Sequence, residues 1–174
     1  VNAVCAYASV IAKKEGINDA LIEKYGLKRT GELIESFGTA AHGSAPELGK
    51  NAFLPLFKYM AETGEELGEI IDCLFLDKYG VGKLLNEQGR VTFSPDLIEK
   101  KDGKTVLVCD CRVPAPLALK DVTAITDKFG INYSVSEKPP PLVVEKHGKF
   151  VETLLSAYKK VTGENAEARS MGGS

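Results

Sequence analysis

Tryptophan is missing from the 174 residues, and histidine occurs only twice, at His42 and His147. Cysteine is scarce as well. The four thiols, Cys5, Cys73, Cys109 and Cys111, form no C-x-x-C pair and stand at no zinc-finger spacing from a histidine. They read as small buried core residues, the commonest fate of a free thiol, rather than as a metal-chelating or redox pair. With no disulfide pattern, a reducing compartment fits. Charge of one sign is lacking too: 22 Lys and Arg stand against 24 Asp and Glu, a net charge of −2, with no basic block to neutralise a phosphate backbone. Nucleic acid is therefore set aside as a partner. No apolar run approaches the roughly 20 residues of a membrane span, and no charged-then-apolar signal segment opens the chain. The expectation is a cytoplasmic protein with no membrane partner. What is present is ordinary: 44% hydrophobic and 26% charged residues, as in soluble globular proteins, which argues against disorder, collagen-like repeats and coiled coil. The length suits one domain or two small ones, large enough to fold on a core alone.

The chain opens on Val1 at the edge of a predicted strand and stops on Met171-Gly172-Gly173-Ser174, a glycine turn. The expectation is an excised piece of a longer protein.

Residues 3–12 alternate as a strand, and Asn18 caps a short helix that ends at Gly26. A second strand is predicted over 32–42, broken by Gly43-Ser44-Ala45-Pro46. Asn51 is a suitable N-cap for a helix over 52–63, with Pro55 in its first turn. Leu67, Ile70, Ile71, Leu74 and Phe75 repeat at helical spacing, and Glu62, Glu65, Glu66, Glu69 and Asp72 form the solvated side. The clearest unit is a hairpin, 91–100 and 105–112, turning on Asp102-Gly103. Leu119, Val122, Ile125 and Phe129 make a helical stripe closed by Gly130, and 131–136 alternates into a further strand. Beyond the stiff Pro139-Pro140-Pro141, residues Phe150, Val151, Leu154, Leu155 and Tyr158 make an amphipathic helix ending at Gly163. The layout predicted is α+β, an antiparallel sheet with helices on one face, ferredoxin-like and in two degenerate copies. A C-terminal helix follows. The boundary falls near the prolines, giving a domain over 1–140 and a return segment over 141–174.

Gly80-Val81-Gly82-Lys83 fails the spacing of a phosphate loop and has no preceding strand, so it reads as a turn after a helix. His147, between Lys146 and Gly148, reads as a solvated surface residue. His42 differs, because it ends a strand before a small-residue turn, where an imidazole can donate a hydrogen bond to developing negative charge.

The surrounding run, Gly38-Thr39-Ala40-Ala41-His42-Gly43-Ser44-Ala45-Pro46-Glu47-Leu48-Gly49-Lys50-Asn51-Ala52, resembles the motif G-x-x-A-H-[GA]-S-x-P-x-x-G-x-N-A of the dinuclear-zinc exopeptidases related to aminoacylase and carboxypeptidase G. Three further segments resemble that family in the same order. Val1-Asn2-Ala3-Val4 is similar to the entry into its inserted domain, and Leu107-Val108-Cys109-Asp110-Cys111-Arg112-Val113-Pro114 to its x-D-x-R-[YV]-P strand. Tyr158 with Thr162-Gly163, followed by Ser170-Met171-Gly172-Gly173-Ser174, is similar to its return into the catalytic domain. The long insertion between Asn51 and Arg112 resembles the dipeptidase branch, the Xaa-His or carnosinase-like enzymes with an enlarged lid.

The resemblance implies a parent enzyme of two domains, a zinc metallopeptidase whose catalytic domain holds two zinc ions and whose lid folds over a dipeptide substrate. The family's zinc ligands have no counterpart here: there is no H-x-D, and Glu65-Glu66 lies on the acidic helix face. This chain would then be the lid, inactive alone and without a metal or cofactor of its own, with its catalytic domain as partner. On that footing the resemblance assigns His42 to the oxyanion, Arg112 and Asn2 to the substrate carboxylate, and Gly172 and Gly173 to backbone contacts with substrate. Arg112 has a plainer alternative, a salt bridge to Asp110 two residues away. Two readings of another kind remain beside the lid: a non-enzymatic ferredoxin-like module that binds an amino acid or a partner chain, and a dimerisation domain.

Overall fold

A computed structural model describes residues 2–136 and 144–169. The chain is α+β with small antiparallel sheets. Strand β1 (Tyr7–Ile11) pairs with β3 (Leu33–Phe37), which pairs in turn with β2 (Lys28–Thr30) in the order β1-β3-β2. Between β1 and β2 lies helix α1 (Asp19–Lys24), whose N-terminus Asn18 caps by accepting from Leu21 N–H at 3.2 Å. Helix α2 (Phe53–Glu62) packs on β1 and β3, and α3 (Gly68–Leu74) follows it. Their apolar faces meet in one core: Ile34, Phe53, Leu56, Phe57, Tyr59 and Ile71 are buried together. Each such side chain contributes roughly 1.5–3 kcal/mol by leaving water.

A short ribbon, β4 (Leu85–Asn86) with β5 (Gly89–Arg90), leads into the hairpin of β6 (Thr92–Lys101) and β7 (Lys104–Arg112). Asp102 and Gly103 both take positive φ, 50° and 75°, as a two-residue hairpin turn of the kind predicted requires. The register slips by one residue between Pro95 and Leu97, so Asp96 is the extra residue of a β-bulge, beside a proline with no N–H to give the ladder. Helix α4 (Leu119–Thr126) and the turn after it place Val122 and Phe129 against Cys73, Val81 and Val91 in a second core. Gly130, at φ 68°, ends that unit where the sequence places the stop. Gly80–Lys83 is a tight turn in which Gly82 N–H donates to the Asp77 carboxylate.

Three expectations are corrected in detail. The strand predicted over 3–12 runs only from Tyr7 to Ile11, and the one over 32–42 only from Leu33 to Phe37. The ladder changes partner at Gly38: its N–H bonds to Ala6 O, but Thr39 then pairs with Lys50, and Cys5 O accepts from Ala52 N–H. A Cβ at Gly38 would collide with Lys50 O, so the exchange depends on that glycine. Residues 131–136 alternate but are no strand, because no edge among the described residues pairs with them; Ile131 packs into the second core and Tyr133 bonds to Asp127 instead. The strands form three small antiparallel sheets. The exposed strand β2 carries no apolar signal and goes unseen in the sequence. The expected boundary at Pro139-Pro140-Pro141 lies outside the described residues.

Helix α5 (Lys149–Thr162) has no buried residue, and Phe150, Leu154, Tyr158 and Val161 are all exposed. Among the described residues no helix is long and apolar enough to cross a membrane.

Candidate functional site

Two segments meet edge to edge at His42. Val4 N–H donates to Ala41 O at 2.9 Å, Gly43 N–H donates to Asn2 O at 2.6 Å, and Ala3 pairs with His42 in an isolated antiparallel bridge. Asn2 therefore sits beside His42, and both are exposed. The His42 ring is tied back to its own turn: Nδ1 lies 2.8 Å from Ser44 Oγ and 3.2 Å from Ser44 N.

Gly43, the next residue, is buried and held from two sides. Thr92 Oγ1, on β6, donates to Gly43 O at 2.9 Å. The Asp110 carboxylate, on β7, lies so close against the Gly43 α-carbon that a Cβ there would overlap Oδ2. Any side chain here would have to displace the Asp110 carboxylate. Asp110 also grips Arg112, with Nε 2.8 Å from Oδ1 and Nη2 2.8 Å from Oδ2. The Asp110 side chain is 9% exposed and that of Arg112 27%, so the pair is shielded well beyond an ordinary surface bridge. The salt bridge offered above as the plainer fate of Arg112 is thus formed. It also joins the three candidates, because Asn2 contacts Gly43 on one side and the Asp110–Arg112 pair contacts it on the other. Gly172 and Gly173 lie outside the described residues.

Ser94 and Asp96 complete the cluster. Ser94 stands opposite Asp110 in the ladder and donates from Oγ to Asp96 Oδ1 at 2.7 Å. Asp96 Oδ2 is buried with no hydrogen-bond partner among the described residues. Burial pushes the Asp96 carboxyl above the ordinary carboxylate range, the Asp110 charge adds to the rise, and the Ser94 hydroxyl opposes it. An acid whose folded pKa is raised costs nothing while neutral and costs stability as pH rises through that value. Asp96→Asn, which has no charge to bury, is accordingly expected to be more stable than the native chain at pH 7. The gap closes toward pH 4, as denaturant midpoints at the two pH values will register.

The thiols sit apart from this chemistry. Burial raises Cys109 to about 12 and Cys111 to about 11, so neither is a thiolate at neutral pH. Burial and the neighbouring Glu69 carboxylate raise Cys73 to about 11. Among the described residues no three His, Cys, Asp or Glu are placed to hold a metal ion. His147 is exposed. Of the acids read as a solvated face, Glu62 pairs with Lys24, and Glu69 and Asp72 with Lys78.

Thr92, Ser94 and Asp96 were not singled out by the sequence, and Ser44 stood in it only as part of the motif and turn after His42. Counting outward from Asp102-Gly103 brings β6 beside Asp110 and Arg112, but the bulge decides which residues face them.

No protein-family model matches the chain. Among curated proteins it is 28% identical over 153 residues to a Staphylococcus epidermidis protein named "Putative dipeptidase", covering 78% of this chain and 32% of that protein. A protein of the same description from Staphylococcus haemolyticus is 27% identical over 83% of this chain and 34% of its own length. An "Uncharacterized metallohydrolase" of Methanocaldococcus jannaschii is 24% identical over 78% of this chain and 38% of its own length. The chain is a distant relative of proteins named as dipeptidases and metallohydrolases. It spans about a third of the length of the relatives it matches.

Proposed function

We propose that this chain is the lid domain of a metal-dependent dipeptidase, closing over the substrate held by a catalytic domain elsewhere in a longer protein. One observation carries the reading: Asn2, His42 and Arg112, far apart in sequence, are joined through Gly43 and Asp110 into one patch. Hydrolysis of a peptide bond builds negative charge on the carbonyl oxygen, and a donor brought by a closing lid stabilises it where it forms. His42 supplies that donor. The planar fork of Arg112, held in plane by Asp110, suits the carboxylate that ends a dipeptide, with Asn2 alongside. Gly172 and Gly173, outside the described residues, keep on this reading the substrate-binding role that the resemblance implies. The bare apolar face of α5 belongs, on this reading, against the catalytic domain, which makes 141–174 the return segment.

Among the described residues no group of side chains fits a dinuclear zinc centre; on this reading the ligands would come from the remainder of the longer protein. The chain alone is expected to hydrolyse no dipeptide, to bind no stoichiometric zinc, and to melt at the same temperature with and without a chelator, since its two cores contain no ligand set. The longer protein is expected to cleave dipeptides and to lose that activity to the chelator. Two zinc ions on the isolated chain, or a longer protein inert toward dipeptides, refutes the reading.

A further inference from the structure

The turn after His42 determines more than where the ring lies. A backbone N–H can only donate, so the Ser44 N–H, 3.2 Å from His42 Nδ1, requires a lone pair on that nitrogen. The Ser44 hydroxyl, 2.8 Å from the same atom, is placed to donate to it as well. With the proton on Nδ1 instead, a donor would face the backbone N–H. Nε2, across the ring, has no partner among the described residues, and His42 is exposed.

We propose that Ser44 is a positioning residue that fixes His42 as the neutral imidazole protonated on Nε2, holding one N–H donor ready on the open side of the ring. The tautomer is assigned from the hydrogen-bond geometry. Its use, donation to an oxyanion, rests on the dipeptidase reading; the tautomer itself does not. A donor already formed and already oriented needs no reorganisation when negative charge develops. A free imidazole exchanging between tautomers would present a lone pair for part of the time.

Nitrogen NMR of the histidine-labelled chain tests this without substrate or metal, at a pH above the ordinary imidazole range. His147, exposed and far along the chain, gives a solvent-averaged reference in the same spectrum. His42 is expected to show Nε2 protonated and Nδ1 bare. In Ser44→Ala, which keeps the backbone donor and loses the hydroxyl, the ratio of Nδ1–H to Nε2–H at His42 is expected to rise about two- to tenfold, the worth of one neutral hydrogen bond. His147 stays unchanged, and Ser44→Thr restores the native ratio. A His42 that carries its proton on Nδ1, or a ratio identical in the native chain and Ser44→Ala, overturns the proposal. Failure of the dipeptidase reading leaves this spectrum as it is, whereas failure here leaves that reading without a prepared donor.

Discussion

On the dipeptidase reading, His42→Ala in the longer protein is expected to lower kcat on the order of 10²–10³, about 2.7–4 kcal/mol, with KM nearly unchanged. The size follows from when the bond is made. A ground-state carbonyl oxygen carries little charge, so an N–H donor near it gains little; the tetrahedral intermediate carries a full charge, and the same donor then gains several kcal/mol. Removing an interaction confined to the transition state lowers kcat and kcat/KM together. Metal content is unaffected, because His42 lies in a chain with no ligand set among its described residues. The fold is expected to be unaffected too, because the ring is exposed and, among the described residues, bonds within its own turn alone. Steady-state kinetics with metal analysis on the same preparation checks all three. A kcat within a factor of two of the native value makes the histidine a bystander, and the lid then acts only by closing the cleft.

Arg112→Ala is expected, on the same reading, to have the opposite signature: KM for free dipeptides rises about 10- to 100-fold, the equivalent of a charged hydrogen-bonded pair, while kcat falls far less. A carboxylate clamp acts in the ground state and the transition state alike, so its loss is mainly a loss of binding. Dipeptides with an amidated C-terminus, having no carboxylate to clamp, are affected little. The variant also has a cost the histidine variant lacks. Asp110 is nearly buried, and without its partner it stands as an uncompensated charge against Gly43. The isolated chain is expected to lose about 1–3 kcal/mol in denaturant unfolding. Equal KM effects on free and amidated substrates would mean that Arg112 serves the fold through Asp110 and binds nothing.

Short-range chemistry was legible from the residues. Asp102-Gly103 specified a turn with both φ angles positive, and Gly130 specified the end of the unit begun by α4. Asn18 specified the start of α1. Each of these depends on one or two side chains acting on their own backbone, and no distant partner can reverse it. Alternation proved less binding. Residues 131–136 have the pattern of a strand, but a strand also needs an edge to pair with, and the pattern says nothing about whether one is there.

The sequence by itself determined which groups exist for the chemistry: a strand-end histidine before Gly-Ser, and an arginine two residues from an aspartate on one strand face. It also determined that the α+β class would hold, since apolar spacing sets the faces to be buried. Tertiary structure alone decided that these groups meet. An unbroken ladder from Lys101–Lys104 would set Asp110 opposite Pro95 and Arg112 opposite Phe93; the bulge at Asp96 shifts the partners to Ser94 and Thr92. A one-residue shift exchanges the faces of a strand. It places the Thr92 hydroxyl on Gly43 O, on the strand pair whose Asp110 lies against the same glycine, and so ties the histidine turn to the arginine strand. Pro95, with no N–H for the ladder, marks locally where a bulge can sit, but which segment the shifted strand then meets, some 50 residues earlier in the chain, is a tertiary matter.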